Sequence, residues 1–583
     1  MPDTGIVLMR TVQRLAGLIV ALAATARPGG TQPVGREVVE CRGQPITTIT
    51  IETRPPFTPD RSDFVTRTAQ AVRNIHATTR GSVVRRYLAL SEGMPCSELR
   101  RTESERILRA QPFISDAAVT AYSDGPDAVA IHVTTVDELS LVIGGSASGS
   151  SPYVRAIKLG NQNLFGGGIY GAAHWRDGAR FRDGYGVRLV HHQLFGRPYM
   201  LEFDAVRRNV GHDLYVEASH PFLTELQRIA WRTHYGVRDG YVHFLRQSDT
   251  AAWVALRQTH ADVGGVIRLG GPGRLTLLGG SLSQERDHPG ASPVVLDAGI
   301  IRPDTGLSLV ERYPMRRQTR VNALWGFRDL RFMRVTGFEV LDGVQDVARG
   351  VQISGLLGRG MTFLDKRSDR GIFLSTNLYG GFGSPALFGS LDVSFEARRE
   401  AELRSWLGVI SSGRLAVYSR RSSRRTIVSS TEWTGGVRSR VPFQLTFTDR
   451  EGGLRGFRNS RVGGGHRLVT RLEDRYLSGG FRRYATFGVA GFTDIGKLWP
   501  GDAPYGVNSR VSASVGLSLL ASVPPRSQRL LRLDVAYPLN PDAGRRWEVR
   551  VTAQNAARLV WREPRDVRNA RERSVPGNLF NWP

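Results

Sequence analysis

The chain has 583 residues, of which 40% are hydrophobic and 23% are charged, and its formal net charge is +26 at pH 7. The length allows more than one domain, and no run of about eighteen apolar residues follows the N-terminal stretch, which excludes membrane-spanning helices. The basic residues are spread along the whole chain and are nearly all arginine, since Lys158, Lys366 and Lys497 are the only lysines. The sequence has no zinc-finger spacing, no RNP-like motif and no basic helix. Because the basic residues are also not concentrated in one region, nucleic acid is disfavoured as a partner. The charge favours a polar lumen lined with arginine, or an anionic lipid surface.

The first segment has the composition of a secretory signal. Arg10 and Arg14 precede an apolar stretch over residues 15–24, which ends at the small-residue site Ala-Thr-Ala. We therefore predict a signal peptide over residues 1–26, followed by a linker over residues 27–45. A short anchor helix is the alternative, but the apolar stretch is too short for one and has no stop-transfer flank.

Residues 46–138 have a mixed α and β pattern, which predicts one small α+β domain. The stretch "ITTITIE" alternates like a strand, and "AAVTAY" and "VAIHVTTV" form two more strands around the turn "SDGPD". The stretch "SELRRTESERILRAQ" is typical of a helix with Ser97 as its N-cap and with Leu99, Ile107 and Ala110 on one face. We expect the sheet of this domain to have an exposed edge that can pair with an extended segment of another chain.

Cys41 and Cys96 are the only two cysteines, and two interpretations fit them. In an oxidising periplasm they would form a disulfide. Two buried free thiols fit as well, because a sequence does not give the distance between the two side chains.

From about residue 139 the helical pattern ends, and strands with alternating apolar and polar positions continue to residue 555. In "LRLDVAY", for example, Leu531, Leu533 and Val535 alternate with Arg532 and Asp534. A soluble sandwich also alternates, but it rarely exceeds about 250 residues as one unit. An exported chain with such a long pattern is typical of a closed barrel, which pairs every backbone group in lipid.

These patterns predict a mainly β fold. At about 25 residues for a strand and its connection, residues 139–555 would form a transmembrane antiparallel β-barrel of about 16 strands. The small α+β domain precedes this barrel, and a basic, proline-containing tail over residues 556–583 follows it.

Two neighbouring predicted strands offer carboxylates to the barrel interior. In "RLVTRLEDRY", alternation places Leu468 and Leu472 outside and Glu473 on the inner, mostly charged face. In "YATFGVAGFTDIGKLW", Val489 falls outside and Asp494 falls inside.

The glycine-dense loop before these strands, "EGGLRGFRNSRVGGGH", carries Arg455. If the loop folds into the lumen, Arg455 lies between Glu473 and Asp494, where an arginine–carboxylate pair shielded from water is stronger and more directional than a surface pair. Gly456 would then allow a close approach of the backbone, and Phe457 would pack against the wall. The alternative is an exposed external loop with charges unrelated to the two carboxylates.

Three ordered landmarks resemble one family. "GGLRGF" followed by "RLEDRY" and "FTDIGKLW" resembles the signature of the outer-membrane assembly and translocation superfamily of BamA and TamA type, the bacterial surface antigen family. "LGNQNLFGGGI" over residues 159–169 resembles the "NLFG-x-G" segment that these proteins carry early in the barrel. Residues 85–122 resemble a single POTRA module, with its order of helix, turn, helix and hairpin. The likeness covers nearly the whole mature chain.

The resemblance implies a sixteen-stranded barrel with a weak seam between its first and last strands, and a periplasmic POTRA domain that offers a sheet edge to client chains. It also implies the site residues, none of them catalytic: the lumen-loop motif Leu454, Arg455, Gly456 and Phe457, the anchoring carboxylates Glu473 and Asp494, and the early-barrel turn Asn163, Leu164, Phe165 and Gly166. Two features depart from the family. The chain has room for one POTRA module where several are usual, and the tail follows the last strand. Both favour a divergent paralogue over the essential insertase.

Together these features predict a non-enzymatic protein of the Gram-negative outer membrane that inserts or translocates other polypeptides. Its partners would be client outer-membrane or secreted polypeptides, outer-membrane lipids and accessory envelope proteins, and no cofactor or metal is expected. A two-partner secretion translocator of haemolysin-activator type is one alternative, although such proteins normally have two POTRA modules and a plug helix. A passive porin-like channel is another, which leaves the N-terminal domain and "LRGF" unexplained.

A hydrolase is disfavoured by the sequence. No G-x-S-x-G elbow occurs. The neighbouring His191 and His192 would lie on opposite faces of a strand, which is poor geometry for a metal site.

Overall fold

The computed structural model describes residues 37–57, 76–147, 154–178, 181–246, 251–290, 293–297, 300–304, 312–366, 368–401, 405–448, 452–480, 484–540, 547–555, 561–575 and 579–580. The predicted signal peptide and most of the predicted linker lie outside these residues. Of the helices in these ranges, none has the length and apolar character needed to cross a membrane.

The N-terminal part forms a small domain with a four-stranded sheet. Its elements in chain order are β1 (Arg42–Arg54), α1 (Gly81–Arg85), β2 (Pro95–Ser97), α2 (Glu98–Arg109), β3 (Ile114–Ser123) and β4 (Val129–Asp137). The sheet order is β2–β1–β4–β3, in which β1 and β4 are parallel and the other pairs are antiparallel. The strands and the helix predicted from the sequence are all present, and the two helices cover one face of the sheet with a single apolar core.

Helix α2 buries a face that differs in part from the predicted one. Ile107 and Leu108 are buried in the core, whereas Leu99 is 43% exposed. At 3.6 residues per turn, Leu99 is rotated by roughly 80° from Ile107, so the buried face is formed by Ser104, Ile107 and Leu108 instead. Ser97 does occupy the N-cap position, but its side chain makes no capping hydrogen bond.

The remaining strands build a closed antiparallel barrel in which β5 and β28 lie side by side. The barrel strands are β5 (Leu141–Ala147), β6 (Val154–Asn161), β7 (Ile169–Arg176), β8 (Gly184–Leu194), β9 (Tyr199–Arg207), β10 (His212–His220), β11 (Ile229–Phe244), β12 (Ala252–Leu269), β13 (Arg274–Pro289), β16 (Arg316–Thr336), β17 (Val344–Gly360), β18 (Ile372–Gly383), β19 (Leu387–Arg399), β20 (Trp406–Arg420), β21 (Arg425–Val437), β24 (His466–Gly479), β25 (Thr486–Trp499), β26 (Ser512–Ser522), β27 (Arg529–Pro538) and β28 (Glu548–Asn555). A hairpin of β14 (Val294–Asp297) and β15 (Ile300–Pro303) extends from β12, and β22 (Leu445–Thr446) pairs with β23 (Gly463–Gly464) in the connection from β21 to β24.

The fold class is confirmed, but the predicted number of strands is wrong. Apart from the short hairpin of β14 and β15, the described residues contain twenty barrel strands, where about sixteen were expected. Two features make the average length of a strand and its connection shorter than the 25 or so residues assumed in the prediction. The strands from β5 to β10 have only 7 to 11 residues, and several neighbours are joined by tight turns, such as residues 208–211 and 384–386.

The barrel is apolar outside and polar inside, as the alternation predicts. On β26, the outward Leu517 is 70% exposed, whereas the inward Ser518 is buried. On β27, Arg532 and Asp534 are buried, and the intervening Leu533 is more accessible. This distribution is that of a barrel whose outer face contacts lipid and whose lumen holds the charges.

The N-terminal domain lies across one end of the barrel, here called the domain end. Contacts to different regions of the ring hold it there, among them Arg109 Nη2 to Asp346 Oδ2 (2.8 Å), Thr224 Oγ1 to Glu103 Oε2 (2.5 Å) and Ser527 Oγ to Glu138 Oε1 (2.8 Å). The long connection from β21 to β24 lies at the opposite end, here called the loop end.

Candidate functional site in the barrel lumen

The connection from β21 to β24 folds into the barrel. Its short strands β22 and β23 pair with each other, and a bridge joins Thr448 to Leu454. The Leu454 and Phe457 side chains are buried in a cluster that includes Leu498 of β25. The structure therefore has the inserted loop and not the exposed external loop.

Arg455 lies between the two carboxylates named from the sequence. Its backbone N–H and its Nε donate to Asp494 Oδ2 at 3.1 and 2.8 Å, and its Nη2 donates to Asp494 Oδ1 at 2.6 Å. Its Nη1 donates to Glu473 Oε2 at 3.1 Å. The Asp494 side chain is fully buried, so this pair is shielded from water, where charge-assisted hydrogen bonds are strong.

Glu473 also accepts hydrogen bonds from two further arginines, which are not among the site residues predicted from the sequence. Arg475 Nε donates to Glu473 Oε1 at 2.5 Å, and Arg532 Nη2 donates to Glu473 Oε2 at 2.8 Å. Arg532 also contacts Asp534 on its own strand. Alternation placed all of these side chains inside, but only the pairing of four neighbouring strands brings them to one place.

Phe492 forms a second contact that sequence reasoning missed. The guanidinium carbon of Arg455 lies 3.5 Å from the centroid of its ring, which is the geometry of a cation–π contact. Phe492 lies two positions before Asp494 on the same strand, so the alternation of side chains predicts that it also points inward. This alternation is the sequence signal that identifies Phe492 as a candidate.

Gly456 and Phe457 complete the loop motif. Gly456 has φ +85°, and a Cβ there would lie 3.3 Å from Pro538 Cδ, so the backbone does come close to β27. Phe457 packs edge-on against Phe447 of its own loop, with ring centroids 5.8 Å apart. Phe457 also lies in one apolar cluster with Ile410, Val469 and Leu498 of the barrel wall.

The early-barrel turn Asn163–Gly166 contacts the N-terminal domain. Asn163 Nδ2 donates to Thr79 Oγ1 at 2.7 Å, and Thr79 Oγ1 in turn donates to Asp137 Oδ1 at 2.7 Å. The backbone N–H of Arg80 donates to the Gly166 carbonyl at 3.0 Å. Leu164 and Phe165 belong to a short 3₁₀ turn between β6 and β7, in which Phe165 is 75% exposed. The turn thus forms part of the seat of the domain.

Cys41 and Cys96 are joined by a disulfide. It links the residue just before β1 to β2 across 55 residues of sequence. Of the two interpretations that the sequence left open, the structure has the bonded one.

The edge of the N-terminal sheet at β3 is covered, so β3 is not the exposed edge that the sequence predicts. Carbonyl groups along β3 accept hydrogen bonds from outside the sheet: Ser115 from Gln528 Nε2, Ala117 from Arg109 Nη1, Val119 from Arg101 Nη1 and Ala121 from the Val39 N–H. Ser123 N–H also donates to the Glu37 carbonyl. The arginines of α2 and residues 37–39 therefore occupy the positions that an added strand would use.

The described residues of the basic tail lie inside the barrel. Helix α3 (Arg565–Ala570) places Val567 and Ala570 in the same cluster as Leu454 and Phe457. The sequence predicts a tail outside the barrel domain because this segment has no strand pattern. In the structure, its side chains instead pack against the inserted loop in the lumen.

No three His, Cys, Asp or Glu side chains within the described ranges are arranged to hold a metal ion. His191 and His192 lie on β8 next to a register shift between His191 and Leu194.

No protein-family model and no curated protein matches this chain. Among solved structures, the chain is similar to BamA from Haemophilus ducreyi lacking POTRA domains 1–3, with 14% identity over 82% of each chain and a TM-score of 0.37. It is also similar to CdiB from Escherichia coli, with 10% identity over 94% of this chain and 96% of that one and a TM-score of 0.36. CdiB from Acinetobacter baumannii has 11% identity over 95% of this chain and 98% of that one, with a TM-score of 0.37. Because all three scores are below 0.5, the fold of this chain is established by its own strand pairing, and the chain is an antiparallel β-barrel preceded by one small α+β domain.

Proposed function

We propose that this chain inserts or translocates other polypeptides at the bacterial outer membrane and is a divergent relative of the BamA and TamA type proteins. The observation that carries the proposal is the docking of the small α+β domain across one mouth of a barrel whose lumen holds the Arg455 loop. A polypeptide that reaches this mouth meets the domain first, which suits a chain that handles polypeptides.

A passive porin-like channel fits the lumen poorly. Solute diffusion needs a water-filled path, whereas here the inserted loop and α3 pack into one apolar cluster inside the barrel. A passive channel also does not explain a domain that is held over the mouth of the barrel by a bidentate pair such as Arg109–Asp346.

Secretion of a partner polypeptide is the second candidate, and one observation favours it. Two-partner secretion translocators normally have a plug helix, and α3 lies in the lumen here. A helix inside the barrel is expected where the passing chain uses the lumen, whereas insertion of membrane proteins would use the wall between β5 and β28.

The lengths of the connections between barrel strands at the two ends support an orientation of the barrel in the membrane. Barrels of the outer membrane have short turns on the periplasmic side and longer loops outside. The domain end has tight turns such as residues 270–273, and the loop end has the connection from β21 to β24. We therefore propose that the N-terminal domain lies in the periplasm, where a client would need to displace residues 37–39 and the arginine contacts of α2 before it could pair with β3.

Depletion followed by replacement tests this function. Cells depleted of the protein receive the wild type, Asp494→Ala or the control Arg458→Ala, whose side chain is exposed in the same loop. The outer-membrane and secreted proteins are then compared by quantitative mass spectrometry.

We expect depletion and Asp494→Ala to remove specific envelope or secreted proteins, and Arg458→Ala to restore them. Loss of outer-membrane proteins supports insertion, and loss of a secreted protein alone supports secretion. An unchanged proteome together with reduced uptake of small solutes would refute both and leave the channel.

A further inference from the structure

The described part of the C-terminal segment, residues 561–575 and 579–580, lies in the barrel interior. It contacts inward side chains of strands spread over the ring, among them Ser412 of β20 with Glu563, Arg467 of β24 with Asp566, Arg398 of β19 and Arg316 of β16 with Glu572, Glu285 of β13 with Ser574, and Gln352 of β17 with the Phe580 carbonyl. The segment is therefore enclosed by the wall and not attached to its outside.

Glu572 is the centre of these contacts. Its carboxylate is fully buried and accepts from Arg316 Nη1 at 2.6 Å and from Arg398 Nε at 2.8 Å. Arg320 forms a third ion pair with it. A carboxylate held by three guanidinium groups from two strands is a strong and directional binding site.

Arg320 depends on this carboxylate more than the other two arginines do. Arg316 also pairs with Asp287 at 2.6 Å, and Arg398 also pairs with Glu396 at 3.0 Å. Among the residues that the structure describes, Arg320 has no carboxylate partner other than Glu572, and it is only 1% exposed. Removal of one member of a buried ion pair is costly because the remaining charge is left without compensation.

The segment is held by side chains and not by the barrel ladder. Its described residues form α3 and irregular backbone, and no strand of the ring pairs with them. It meets the inserted loop through Val567 and Ala570, which pack with Leu454 and Phe457. It can therefore leave without breaking a pair of barrel strands.

We propose that the C-terminal segment, as described over residues 561–575 and 579–580, is a detachable lumen plug, held at a carboxylate-binding site formed by Arg316, Arg320 and Arg398. An acidic segment of the passing polypeptide takes the place of Glu572, because Arg320 needs a carboxylate in that position. The plug and its binding site are inferred from these contacts only. That the passing chain is a polypeptide depends on the proposed function.

Conductance in planar lipid bilayers tests the plug with the purified full chain. The variants are Glu572→Arg, which places a cation among the three arginines, and the control Arg562→Glu, which reverses an exposed charge on the same segment. We expect Glu572→Arg to raise the mean conductance several-fold and Arg562→Glu to match the wild type.

A synthetic peptide of residues 561–583 tests the binding site on the opened variant. We expect the peptide to reduce the conductance of Glu572→Arg, and the same peptide with Glu572→Gln to have at most a small effect. Equal block by both peptides would refute the carboxylate site.

A tethered variant keeps the plug testable if Glu572→Arg does not fold. Ser412 and Glu563 touch through their side chains, so Ser412→Cys with Glu563→Cys can be oxidised to hold the segment in place. We expect voltage-induced openings of the wild type to disappear in the tethered protein and to return with reductant, with reductant-treated wild type as the control. Openings that persist with the tether formed, or a folded Glu572→Arg variant with wild-type conductance, would refute the plug.

The two proposals fail separately. If Glu572→Arg opens the pore and the envelope and secreted proteomes of the depletion experiment stay unchanged, the plug is supported and the polypeptide function is refuted.

Discussion

Arg455 and Asp494 are joined by three hydrogen bonds, one of which comes from the backbone N–H of Arg455. The carboxylate therefore fixes both the side chain and the main chain of the inserted loop. This is a more complete anchor than a side-chain pair, and it makes the position of the loop depend on Asp494 in particular.

Replacement of Arg455 by Ala should displace the loop. The change leaves the buried Asp494 carboxylate without its cation, which costs about 3–5 kcal/mol for a buried pair, and it also removes the contact with Phe492. The loss should be measured as the free energy of unfolding in detergent and as increased hydrogen exchange over residues 452–460. Arg458→Ala is the matched control, and unchanged exchange in Arg455→Ala would contradict the anchor.

The two carboxylates should differ in their effect. Asp494→Ala removes all three hydrogen bonds to Asp494, whereas Glu473→Ala removes one bond to Arg455 and leaves Arg475 and Arg532 without their shared carboxylate. We expect Asp494→Ala to release the loop, and Glu473→Ala to loosen strands β24 and β27 while the loop stays bound. Hydrogen exchange resolved by peptide separates the two patterns, and identical patterns would refute the division of roles.

The seat of the N-terminal domain can be tested with two neighbouring glycines. Gly166 has φ +66°, and a Cβ there would lie 2.2 Å from the Thr78 carbonyl oxygen. A Cβ on Gly167 would lie 3.4 Å from the nearest heavy atom, with an ordinary φ of −92°. We expect Gly166→Ala to raise hydrogen exchange over residues 76–80, and Gly167→Ala to leave it near the wild-type level. Equal effects of the two changes would contradict the docking role of the turn.

The contact between α2 and the barrel should weaken in acid. Burial by itself raises the pKa of the Glu103 carboxyl, but the charge and hydrogen bonds of Arg106 and the hydroxyl of Thr224 outweigh it, and the pKa lies below the ordinary value of about 4.3. Because the folded-state pKa is the lower one, the stabilisation is complete above the unfolded pKa and is lost as the pH falls through the lowered value.

Hydrogen exchange over residues 223–227, corrected for the intrinsic pH dependence, should therefore increase below about pH 4.3. In Glu103→Gln this step should be absent, and the exchange should already be raised at pH 7. A wild-type acid step that persists in Glu103→Gln would assign the step to another group.

Local patterns of the chain predicted the elements well. The period of two on β24 to β27 placed Glu473, Asp494 and Arg532 inside, because a barrel in lipid leaves only one environment for charged side chains. The same local patterns failed for Leu99 of α2, since which face of a helix is buried depends on the neighbours against which it packs.

The sequence by itself determined the β-barrel class, the inward direction of the charges and the residues of the loop motif, because alternation and charge are properties of neighbouring residues. Only the tertiary structure decided the number of strands, the covered edge of β3 and the place of the C-terminal segment. Each of these depends on contacts between residues far apart in the chain, such as Arg320 with Glu572 and Ala121 with Val39, and no local pattern specifies which distant groups will meet.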